Sequence, residues 1–91
     1  MSSRKNLKKM LDAYVGELLS QCALLSLIVP EENREKAFDI MDKLVDLRND
    51  LIKRISHTEP GQAKVFYRQW KADLRSGLAE LQADIEALIP A

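Results

Sequence analysis

Ninety-one residues, with fourteen cations balanced by fourteen acids, are enough for one domain with a modest core, and they create no net field drawing the whole molecule to nucleic acid or an anionic membrane. An apolar share of 46% and a charged share of 31% belong to a globular chain, not a disordered one. The single cysteine, Cys22, makes no internal disulfide, which excludes a stapled scaffold and leaves a reducing, cytoplasmic setting as the default.

The first element follows MSSRKNLKK. Leu7, Leu11, Tyr14, Leu18, Leu25 and Ile28 recur at steps close to 3.6 residues, with Met10, Val15 and Cys22 beside them, which predicts an amphipathic helix over about 3–28 with Ser2 or Ser3 as its N-cap. A basic start before LLSQCALLSLIV (18–29) imitates an export signal. Asp12 and Glu17 interrupt it, no small-residue cleavage site follows, and Gln21 stands where a lipoprotein signal needs a small residue. The run is also shorter than the roughly 20 residues that span a bilayer. No export and no membrane contact are expected.

VPEEN ends that helix at Pro30 and opens the next, with Glu31 and Glu32 at its positive end. A helix over about 31–56 carries Ala37, Ile40, Met41, Leu44, Leu47, Leu51 and Ile55 on one face and Phe38, Val45 and Ile52 on an adjoining row. So wide an apolar face suits a helix that touches two neighbours. Glu32 with Lys36, Asp39 with Lys43 and Asp50 with Arg54 stand four apart in the favourable order, each contributing roughly a few tenths of a kcal/mol if formed.

SHTEPGQAKVFYRQWK (56–71) gathers the only histidine, a Pro-Gly pair and the only tryptophan. Proline keeps Glu59 extended and sits well at the first helical position, so Ser56 to Glu59 is the connection and a third helix runs over about 60–89. Tyr67, Trp70, Leu74, Leu78, Leu81, Ile85 and Leu88 form its stripe, which makes Trp70 a core anchor. Gly77 lies on that face and marks either a close helix approach or a mild kink. Three long helices joined by short loops run up, down, up. The expected fold is all-α, an antiparallel up-down-up three-helix bundle forming a single domain over 1–91.

That topology leaves little chemistry. His57 and Cys22 fall at different heights of the bundle, roughly 27 Å apart at 1.5 Å per residue, so they make no nucleophile pair. Glu59 is the sole candidate partner for a metal on His57, and Gly16, Gly61 and Gly77 form no phosphate loop. No catalytic, metal or cofactor-binding residue is assigned, and no enzyme or small-molecule substrate is expected.

Two features stand above the background. The upper half of the first helix is apolar around nearly its whole circumference, and two neighbours cannot enclose it, so some of Leu19, Ala23, Leu24 and Leu27 should face outward as a protein interface, most simply in a two-fold homodimer or a higher homo-oligomer. The competing account is that tilted packing and the end of the chain, Leu88 to Pro90, cover them. The threading also collects ten cations against four acids at the lower end. Arg4, Lys5, Lys8 and Lys9 on the first helix and Lys64, Arg68, Lys71 and Arg75 on the third are candidate contacts for nucleic acid, another polyanion, or the acidic end of a second copy around Glu31, Glu32, Glu35 and Asp39. The expected function is a small helical interaction module, self-associating and without catalysis. Polyanion binding is the alternative.

Overall fold

The computed structural model describes residues 4–57 and 63–89. They form three helices, α1 (Arg4–Ile28), α2 (Glu31–Ser56) and α3 (Ala63–Glu86), with no strand among the described residues. α2 packs closely on both neighbours, while α1 and α3 approach one another least. The chain is an up-down-up three-helix bundle. Its extents are 50 × 18 × 18 Å and its radius of gyration is 15.0 Å, against about 12 Å for a round domain of this length. A rod this slender leaves every helix a long outward face.

The breaks follow local chemistry. Pro30 (φ −56°, ψ 152°) is the N-cap of α2, whose first turn holds Glu31 and Glu32; the Pro30 carbonyl accepts from the Asn33 N–H at 2.8 Å. Arg34 reaches back from α2, its Nε donating to the Ser26 carbonyl at 3.1 Å, so an orphan acceptor in the last turn of α1 is satisfied by the next helix. At the other end α3 stops at Glu86, three residues before the expected limit. The Leu88 and Ile89 N–H groups bond to carbonyls three residues back, at 3.0 and 3.2 Å, a tightening that fits Pro90, which disfavours helical geometry at Ile89. The expected caps at Ser2 or Ser3 and the roles of Glu59 and Pro60 lie outside the described residues.

The core holds Leu7, Leu11, Val15, Leu18, Cys22 and Val29 from α1 and its exit, Ala37, Ile40, Leu44, Leu51 and Ile55 from α2, and Trp70, Leu74, Leu81, Ile85 and Leu88 from the third segment. Fully burying each large aliphatic side chain contributes about 1.5–3 kcal/mol. On α1 the sequence stripe is turned from the one expected. Val15, Cys22 and Val29 are inside, while Tyr14 is 50% and Ile28 70% exposed. The cause is the uneven packing: α1 aims its buried face mainly at α2, and the row containing Tyr14 and Ile28 is left beside the loosely closed α1–α3 side.

Between α2 and α3 the fit is tight. Trp70 is fully buried and its indole N–H donates to the Leu51 carbonyl at 2.9 Å. Gly77 marks a close approach and no kink: α3 is unbroken there, and an added Cβ would stand 2.9 Å from both Leu47 methyl carbons. Arg54 bridges the same two helices, its guanidinium donating to Asp73 at 2.6 Å, and it also stands 3.7 Å from Asp50 of its own helix. Of the three four-apart pairs expected on α2, only Asp50 with Arg54 comes within 4 Å.

Candidate functional site

The upper outward surface of α1 is apolar and bare. Leu24 is 67% and Leu27 77% exposed, and Ala23 is exposed beside them. Leu19 differs from its three companions, being half-buried against the core. Ile28, at 70% exposure, belongs to the same surface; its place in the expected core stripe hid it from a periodicity argument. Leu88 turns into the core and leaves Leu24 and Leu27 uncovered. From Ala13 to Pro30 the chain carries one charged residue, Glu17. Lys5–Ile28 as a whole, unlike 18–29 alone, is long and apolar enough to cross a membrane by length and composition, a test that the core helix of a soluble protein also passes. Here Leu7, Leu11, Val15, Leu18 and Cys22 spend that apolarity on the bundle core.

On the α1–α3 side two adjoining hollows share Tyr14 and Leu78. The lower, about 400 Å³, is lined by Met10, Tyr14, Lys71, Leu74, Arg75 and Leu78. The upper, about 280 Å³, continues past Leu18, Gln21 and Gln82. Together they are an open groove with an apolar floor. Their origin is local: α2 draws both neighbours inward, and the half-buried side chains Met10, Tyr14 and Leu78 do not close the remaining gap.

The basic residues share one end of the rod without sharing one surface. Lys64, Arg68, Lys71 and Arg75 follow each other on α3 at steps of four, three and four, and Lys71 and Arg75 stand on the groove. On α1, Lys5 and Lys8 belong instead to the row of Asp12, which faces α2 through a 2.6 Å ion pair to Arg48. Lys9 is exposed beyond them and Arg4 opens the helix. Three of the four acids of the lower end are engaged elsewhere, Asp12 by Arg48 and Asp50 and Asp73 by Arg54; the fourth, Glu59, lies outside the described residues. Among the described residues no acid forms an ion pair with the α3 row.

The reactive residues are placed for structure. Cys22 is fully buried, and burial pushes its thiol above the ordinary range. His57 is exposed at the C-terminal end of α2, its N–H donating to the Arg54 carbonyl at 3.3 Å; Glu59, its one suggested companion, lies outside the described residues. No group of three or more His, Cys, Asp or Glu residues is arranged to hold a metal ion among the described residues. The Arg54 guanidinium beside Asp73, aided by the Gln69 amide at 2.9 Å, holds that carboxyl below the usual range. No family model, curated protein or solved structure matches this chain.

Proposed function

We propose that this chain is a small helical interaction module that works by binding protein, a second copy of itself first of all, as a homodimer or a higher homo-oligomer, and that it performs no catalysis. Its main support is the exposure of Leu24, Leu27 and Ile28 at 67, 77 and 70%. Three such side chains present on the order of 400 Å² of apolar surface, about the largest patch of an ordinary monomer. A stable interface needs roughly 800 Å² per partner, so the patch would be only one part of a contact that extends over neighbouring residues. A second copy is favoured as the occupant because this surface of α1 offers almost no charge to select a different partner. A reducing, cytoplasmic setting belongs to the same proposal, since the only thiol is unpaired.

Light scattering on the purified chain tests it. Wild type associates at micromolar concentration, and Leu24→Glu, which places a charge where apolar surface must be buried, yields a folded monomer with unchanged helical circular dichroism. A wild-type monomer at high micromolar concentration overturns the proposal. The polyanion reading keeps one observation of its own, Lys71 and Arg75 on the groove with no ion-pair partner among the described residues, and is separated by salt: phosphate contacts weaken steeply as salt rises, apolar contacts do not.

A further inference from the structure

Helical spacing connects the groove to the opposite side of the molecule. Glu31, Glu35, Phe38, Asp42 and Val45 advance along α2 by alternate steps of four and three, so they form one row. All five are exposed, Phe38 at 50% and Val45 at 42%, so this row is an outward ridge of three acids and two apolar side chains. Lys64, Arg68, Lys71, Arg75 and Leu78 advance along α3 with the same alternation. The ridge and the groove lie on opposite sides of the bundle, so neither reaches the other within one chain.

We infer that the ridge of one copy seats in the α1–α3 groove of the next, a contact that rests on the proposed self-association and names how it is made. In a copy turned end for end, α2 runs parallel to the α1 and α3 that receive it. At a single constant offset Glu31 then meets Lys64, Glu35 meets Arg68, Phe38 meets Lys71 over Met10, Asp42 meets Arg75 beside Tyr14, and Val45 meets Leu78. Three acids find three cations, and two apolar side chains find the apolar floor. The reverse orientation loses this match, because it turns the acid-rich end of the ridge toward Gln82 and away from the lysines and arginines. Leu24 and Ile28 continue the α1 wall of the groove above Gln21, whereas Leu27 falls outside it. Each copy keeps a free ridge and a free groove after one contact, so growth is head-to-tail and does not stop at two unless the ring closes.

Charge reversal with rescue tests the contact. Lys71→Glu/Arg75→Glu gives a groove that repels its own ridge, and Glu35→Lys/Asp42→Lys gives the converse. Each double variant alone loses more than about tenfold in association by light scattering or sedimentation, and mixing the two restores it, because acid ridge then meets basic groove and basic ridge meets acid groove. Misfolded chains cannot be rescued by mixing, which removes loss of structure as an explanation. Leu27→Glu leaves this contact within about threefold of wild type, whereas a two-fold α1–α1 pair would be broken by it. Assembly of wild type that ignores both reversals overturns the ridge-in-groove contact while self-association stands. A monomeric wild type overturns both. A wild type that stays monomeric yet binds a generic DNA duplex through Lys71 and Arg75 assigns the basic row to phosphate and also overturns it.

Discussion

Gly16 and Gly77 occupy comparable helix interiors and should respond oppositely to the same substitution. A Cβ on Gly16 meets nothing within 4 Å, so Gly16→Ala gains helix propensity and should raise stability by about 0.5–1 kcal/mol. At Gly77 the same atom would stand 2.9 Å from Leu47. Both terminal methyls of the half-buried Leu47 are met at once, so that side chain must shift, and an overpacking cost at the low end of about 1–3 kcal/mol outweighs the propensity gain; Gly77→Ala should lower stability by up to about 1 kcal/mol. Urea melts at low micromolar concentration compare the two. Equal stabilisation would mean that the α2–α3 seam is not tight at this point. The sequence marked Gly77 as a choice between close approach and kink, and only the position of Leu47 decides it.

At the scale of elements, α2 organises the bundle and the Arg54–Asp73 bridge to α3 gives that role a pH signature. Hydrogen bonding to Arg54, then to Gln69, lowers the Asp73 carboxyl. A carboxylate with a depressed value in the folded state adds stability that is fully present above the ordinary aspartate value, about pH 4, and is lost as pH falls through the depressed value. Asp73→Asn should therefore be less stable than wild type at neutral pH, with the difference shrinking below about pH 4. Both carboxyl and guanidinium are about a third exposed, so the difference is modest. Paired melts between pH 7 and pH 3 measure it; a difference that grows on acidification would reverse the assigned sign. Nothing in local sequence announced this pair, because its partners are nineteen residues apart and meet only once α2 and α3 are packed.

For the whole molecule, the decisive property is a charge-neutral chain folded into a rod with a basic end and an acidic end. Two such rods attract when antiparallel and repel when parallel, and the orientation required for the ridge to meet the groove is the antiparallel one. Self-association should accordingly weaken as salt rises from about 0.05 to 0.5 M while retaining an apolar remainder, since screening shortens the reach of the charges to a few ångströms and leaves buried leucine unaffected. Sedimentation at several salt concentrations reads this. Association that strengthens steadily with salt would leave apolar contact as the only driver. Generic DNA or RNA in the same titration checks the polyanion reading, which predicts binding at low salt with a steep logarithmic loss.

The up-down-up architecture was legible in the residues themselves: three stripes with helical period and prolines between them leave few ways to bury so much leucine and isoleucine, and periodicity with chain breaks is local information. The outward placement of Ala23, Leu24 and Leu27 was legible for a related reason, since two neighbours cannot cover the full circumference of a helix. What the tertiary structure alone decided is rotation and closeness. Whether Tyr14 and Ile28 or Val15 and Cys22 enter the core depends on α1 leaning toward α2, and their spacings are equally helical. The groove exists because α1 and α3 stand apart, a distance set by how both pack on α2. The separation of Lys5 and Lys8 from Lys71 and Arg75 follows from the same rotation, which a one-dimensional pattern leaves free and the packing of three helices fixes.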